Sequence, residues 1–190
     1  MALSAEDPQF PCMDVEDYLL LDNASKTVKY EYLDGRLRML AGGSPDHAII
    51  GNNMSGMLYM ALRKKPCIVY SPDVRFNLSE SHYVHPDVTV SCDSRDKGKK
   101  DNIQYPCLVV EVLSPSTEAI DRGEKLEYYL PYPSIEEYIL IGSQKKSVEV
   151  YHRENDSWRL RIYKPGSTIY LQSIDVEIAF DDIYEKTSLE

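Results

Sequence analysis

Tryptophan occurs once and phenylalanine three times in this chain of 190 residues, so it lacks the aromatic platforms expected of a glycoside hydrolase. Cysteine is scarce as well. Cys12, Cys67, Cys92 and Cys107 stand far apart with no CxxC pair. That spacing excludes a zinc ribbon and predicts reduced packing residues in a cytoplasmic protein, not a disulfide framework. No stretch approaches the roughly 18 apolar residues of a membrane span. The opening MALSAEDPQF has neither the basic nor the apolar region of a signal peptide. Glycine and proline are not enriched, and no low-complexity tract or solenoid repeat occurs. GxSxG, P-loop, GxGxxG and HExxH motifs are all missing. Positive charge is also in deficit: 21 basic against 31 acidic residues give a net charge of −10. This argues against a non-specific nucleic-acid binder, whose affinity comes from Lys and Arg on phosphates, and leaves room only for a locally basic cleft. An acidic surplus does suit an enzyme that holds metal ions.

What is present is a 43% hydrophobic share, enough for one domain over 1–190 with a full core. Residues 1–12 read as an extended N-terminal arm. Residues 13–21 pattern as a short amphipathic helix, and TVKYEYLDGRLRML reads as a hairpin turning at Asp34-Gly35. Ser44-Pro45 offers an N-cap and an N1 proline to a helix with Ile50, Met54, Met57, Leu58, Ala61 and Leu62 on one stripe. CIVYSPDVRFNL, YVHPDVTVSC and CLVVEVL are strand candidates, followed by a helix over about 117–131 with Ala119, Gly123, Leu126 and Leu130 inward. EYILIG, SVEVYHR, WRLRIYK and STIYLQSIDVEI read as further strands. The order predicts an α/β or α+β domain with a mixed central sheet between helices.

Glu111 breaks the apolar run of CLVVEVL. Alternation puts Val109, Glu111 and Leu113 on one face of a central strand. A carboxylate there needs a partner, because an unpaired buried charge costs several kcal/mol. An edge Arg or Lys is one such partner, and a ligand in a cleft beyond the strand end is the other. Asp87, in HPDVTV, lies near a strand start; if the two strands pair as a hairpin around loop 94–102, both carboxylates converge, as a hard divalent cation requires. Turn chemistry alone also explains Pro-Asp, and SPDVRF puts Asp73 in the same setting. Asp121 and Lys125 share a helix face at i and i+4: a solvated ion pair, or a cation reaching the strand ends to steady phosphoryl charge. Glu31 shares a strand face with Lys29 and Leu33. His47 is either part of the helix cap or a substrate contact.

Taken together, YEYLDG (30–35), HPDVTV (85–90), LVVEVLSPST (108–117), DRGEKLEYY (121–129) and EEYILI (136–141) resemble the bacterial Uma-type family of restriction-endonuclease-like proteins, within the PD-(D/E)xK nucleases, over residues 14 to 165. The resemblance implies a mixed sheet of about five strands flanked by helices, and Mg²⁺- or Mn²⁺-dependent cleavage of DNA. It implies Asp87 and Glu111 as metal ligands helped by the Val112 carbonyl, Glu31 completing the metal shell, and Lys125 activating or positioning the water. His47, Asp121, Lys97 and Lys99 are then the substrate-contacting candidates. The pattern departs at Leu113, where a (D/E)xK motif carries its lysine; Lys125 from the following helix is expected to substitute. A second reading keeps the fold without turnover, as a module binding nucleic acid with Arg95, Lys97, Lys99 and Lys100 of the loop on phosphates, or a protein partner through its acidic surface. A homodimer built on exposed tyrosines, 15 of which occur, is a third expectation.

Overall fold

Asp34-Gly35 closes the first hairpin because both residues adopt positive φ, 48° and 82°, the twist that a two-residue connection between antiparallel strands demands. In the computed structural model, which describes residues 12–40 and 42–189, the chain runs through α1 (Val15–Ala24), β1 (Lys29–Leu33), β2 (Arg36–Leu40) and α2 (Pro45–Leu62). Then come β3 (Ile68–Tyr70), β4 (Arg75–Ser79), β5 (His82–Val84), β6 (Val88–Ser91), β7 (Asn102–Ile103) and β8 (Leu108–Leu113). Two short helices follow, α3 (Glu118–Asp121) and α4 (Glu124–Tyr129). The remainder comprises β9 (Glu137–Gly142), β10 (Val148–Glu154), β11 (Ser157–Tyr163), β12 (Thr168–Leu171), β13 (Val176–Ala179) and α5 (Phe180–Ile183). Apart from Cys12, the expected N-terminal arm lies outside the described residues.

Six strands form the central mixed sheet, in the order β11-β10-β9-β8-β6-β3, and a second sheet follows the order β2-β1-β5-β4-β7. β8 is parallel to β9 and antiparallel to β6, so it is fully enclosed. Its two faces separate two cores. Leu108, Val110 and Val112 pack with Ile50, Met54, Leu58 and Leu62 of α2 and with the β12–β13 hairpin and α5. Val109 and Leu113 pack instead with Leu33, Phe76 and Val84 of the second sheet and with Tyr129 of α4. Glu111 therefore points between the sheets.

Three expectations need correction. CIVYSPDVRFNL is two strands in different sheets, because a turn at Ser71–Val74 (Val74 N–H to the Ser71 carbonyl, 3.1 Å) carries the chain from one sheet to the other. The helix over 117–131 breaks at Gly123, and its buried residues are Asp121, Lys125 and Tyr129, while Ala119 is exposed. Burial follows charge compensation here rather than the apolar stripe. Cys67 and Cys92 form a disulfide: the β3–β6 register pairs Ile68 with Ser91, so 67 and 92 face each other with Cα atoms 3.9 Å apart. Cys12 and Cys107 are free.

Tyr18, Tyr32, Tyr83, Tyr129, Tyr138 and Tyr184 are all buried and unavailable to the expected homodimer, whereas Tyr59 and Tyr170 are exposed. No helix among the described residues is long and apolar enough to cross a membrane.

Candidate active site

The β6–β8 register pairs Val88 with Val110, and continuing it one step places Asp87 opposite Glu111. Beyond the start of β6, the amide of Val112 has no strand partner on that side. Asp87 supplies one: its Oδ2 accepts from Val112 N–H at 2.7 Å, so a buried backbone donor is satisfied and the carboxylate is fixed at the C-terminal end of the central strand. His47 reaches the same carboxylate from the first turn of α2, with Nε2 3.5 Å from Asp87 Oδ2. Its backbone N–H meanwhile donates to Ser44 Oγ at 3.2 Å, so His47 is at once part of the helix cap and a side chain of the site. That hydrogen bond to Asp87 raises the imidazole pKa against the opposing effect of burial.

Glu111 has its partner in Lys125. The Lys125 ammonium lies 3.0 Å from Glu111 Oε1, 2.7 Å from Glu31 Oε1 and 3.2 Å from Asp121 Oδ1. All four side chains are nearly inaccessible. The solvated ion pair expected of Asp121 and Lys125 is thus a buried cluster. The i, i+4 spacing that aligns them continues to Tyr129, whose hydroxyl donates to Glu111 Oε1 at 3.0 Å. Glu31 also accepts from His85 N–H at 3.2 Å, and Arg38 Nη1 lies 3.6 Å from its Oε2. Burial pushes the Glu111 carboxyl well above its ordinary pKa, and the carboxylates of Asp121, Asp87 and Glu31 add to this against the pull of Lys125. Asp121 is raised by burial too. Burial opposes charge on Lys125, but Glu111, Glu31 and Asp121 outweigh it and hold the ammonium well above its usual range.

Three carboxylates around one ammonium leave an excess of negative charge, which is what the raised acids express. The hydrogen bonds described engage Oδ2 of Asp87 and Oε1 of Glu111. Both residues line a groove of about 880 Å³ bounded by Gly43, His47, Ser114 and Lys125. Among the described residues no three His, Cys, Asp or Glu side chains form a finished metal cage. Hard oxygen donors on two carboxylates at an open groove nonetheless fit an ion such as Mg²⁺, which keeps several waters and takes only one or two protein carboxylates.

The structure thus brings Asp87, Glu111, Val112, Lys125, Glu31, Asp121 and His47 together. It does not bring Lys97 and Lys99, which are exposed on the loop after β6, at the opposite end of that strand from Asp87. Asp73 lies apart as well, paired with Lys29 at 2.6 Å. Arg38 and Tyr129 escaped the sequence reading. Tyr129 was findable from the i, i+4, i+8 series it makes with Asp121 and Lys125; Arg38 gave no signal until β1 and β2 were paired with Glu31 opposite it.

A mixed sheet with paired carboxylates at the end of its central strand defines a restriction-endonuclease-like α/β domain. The fold matches, at a TM-score of 0.75 and 15% identity, a crystal structure described as "a putative nuclease belonging to DUF820" from Anabaena variabilis, covering 90% of this chain and 97% of that one. The sequence model of the Uma2 family, described as "Putative restriction endonuclease", matches residues 15–181, and the chain belongs to that family. Two proteins of Synechocystis sp. are similar over most of their length. Uncharacterized protein slr1290 is 37% identical over 177 residues, 92% of this chain and 93% of that protein. Uncharacterized protein sll1609 is 31% identical over 140 residues, 70% and 78% of the two.

Proposed function

We propose that this chain is a Mg²⁺- or Mn²⁺-dependent endonuclease that hydrolyses phosphodiester bonds in DNA. The observation that carries the reading is the convergence of Asp87, Glu111 and Lys125 at one end of the central strand, facing an open groove. Asp87 and Glu111, with the Val112 carbonyl, would hold the cation, which when bound polarises the phosphate and lowers the pKa of the attacking water. The Val112 amide and the Tyr129 hydroxyl each fix one oxygen of these carboxylates, so the ligands are positioned before substrate arrives. Lys125, anchored by Glu31 and Asp121, orients the water and offsets charge developing on the phosphoryl oxygens. His47 holds Asp87 through Nε2 from the first turn of α2, and its imidazole lines the groove as a further contact for the substrate. The reading is tested by plasmid cleavage with Mg²⁺ or Mn²⁺. Wild-type protein nicks the plasmid, and Asp87→Ala and Glu111→Ala each lose cutting by at least two orders of magnitude; equal cutting by all three refutes it.

One observation favours a second reading. Lys125 is already shared by three carboxylates, an arrangement that also serves a module binding nucleic acid or a protein partner without turnover. On that reading Mg²⁺ leaves the melting temperature unchanged, whereas a resident cation raises it in proportion to RT ln(1 + [L]/Kd) and loses the effect in Glu111→Ala.

A further inference from the structure

Beside the groove lies a second, smaller cavity of about 310 Å³ to which the reaction described above assigns no role. Its cations are Lys26, Lys29, Arg75 and Lys100, against the carboxylates of Asp22, Asp73 and Asp101. In a chain with a net charge of −10 this is a local reversal of sign. Two of the acids are committed: Asp22 to Arg75 at 2.7 Å and Asp73 to Lys29 at 2.6 Å. Lys26 and Lys100 make no ion pair among the described residues, and both are exposed at the cavity rim. Arg75 beneath them is almost fully buried and held with its guanidinium 5.7 Å from the Tyr83 ring, so the floor of the cavity is rigid.

The cavity and the groove share Thr27, Lys29 and His85 as a common wall. Two independent segments make the same step between them. Along β1, Lys29 stands two residues from Glu31 on the same face, about 6.6 Å at the strand rise. His85 stands two residues from Asp87, at most about 7 Å of chain. The cavity is therefore one short step from the carboxylates of the site.

We propose that this cavity is a phosphate subsite that takes the backbone phosphate adjoining the one placed over Asp87 and Glu111, with Lys26 and Lys100 as its contacts from the rim. The inference rests on the nuclease reading for the identity of its ligand, a polynucleotide backbone. It explains how an acidic protein holds a polyanion: two lysines that make no ion pair among the described residues meet the backbone at one place. The assay is fluorescence anisotropy of a labelled single-stranded oligodeoxynucleotide at several salt concentrations, in EDTA and again with Ca²⁺.

Each lost phosphate contact on a single strand lowers the slope of log K against log salt by about 0.7, so Lys26→Gln/Lys100→Gln lowers it by about 1.4. Arg63→Gln/Lys64→Gln, which removes the same charge at the far end of α2, leaves it unchanged. An unchanged slope in the Lys26/Lys100 variant, an equal fall in the Arg63/Lys64 variant, or no binding by the wild-type chain overturns the subsite. Plasmid cleavage with an unchanged slope removes the subsite and keeps the nuclease; a lowered slope without cleavage does the reverse.

Discussion

Lys125 is the residue on which the site turns. A buried ammonium facing three carboxylates is stable only as a set: removing it leaves Glu31, Glu111 and Asp121 in mutual repulsion out of water. Lys125→Met is expected to destabilise the fold by about 3–5 kcal/mol, read from urea midpoints at neutral pH in EDTA. Glu111→Gln acts in the other direction. Burial raises the folded pKa of Glu111 above the ordinary value of 4.5, so its stability contribution is present below that value and is lost as pH rises through the folded pKa. The neutral variant does not share this loss. In EDTA, the melting temperature of Glu111→Gln therefore gains on wild type as pH rises above 4.5, and Mg²⁺ closes the gap by raising the wild-type value alone; a gap independent of pH contradicts this. Glu111 was legible in the sequence because a carboxylate interrupts an apolar strand, and Asp87 because a proline-acid pair precedes a β-branched run. The inward face of Asp121 and Lys125 was not legible. Helical spacing shows that two residues share a face, but only the opposing Glu31 and Glu111 make that charged face the buried one.

At the scale of elements, the break between α3 and α4 sets the aim of Lys125 and Tyr129. A Cβ on Gly123 stands 2.9 Å from the Ala119 carbonyl oxygen, a backbone atom that yields only if the helices shift. Gly123→Ala gains up to about 1 kcal/mol in helix propensity and loses about 1–3 kcal/mol to overpacking. The expected outcome is net destabilisation with a reduced kcat, measured by urea unfolding alongside plasmid nicking; a more stable, fully active variant contradicts it. α2 was readable because its cap, proline and apolar stripe agree: Ile50, Met54, Leu58 and Leu62 of that stripe are its buried residues, while Met57 is partly buried and Ala61 is exposed. The paired sheets were not. CIVYSPDVRFNL is apolar enough to pass for one strand, and only the tertiary pairing of β3 with β6 and β4 with β5 shows that Ser71–Val74 crosses between layers.

For the whole molecule, the Cys67–Cys92 bond ties the edge strand β3 to β6 across 25 residues of sequence. Closing a loop of that length stabilises by about 3.5 kcal/mol in the chain-entropy account. Reduction with dithiothreitol should lower the melting temperature, and Cys67→Ser/Cys92→Ser should show the same lowered value with or without reductant. Cys67 and Cys92 stand at the end of the β3–β6 pair away from Asp87, so cleavage at temperatures well below melting should persist. The central claim concerns the other end of β6, where two carboxylates from neighbouring strands meet beside one buried lysine. An Mn²⁺-soaked crystal tests it most directly through the anomalous signal of the ion. The account predicts one peak within coordination distance of carboxylate oxygens of both Asp87 and Glu111, with Lys125 beside it and absent from crystals of Glu111→Ala; a peak elsewhere, or none at these residues, contradicts it.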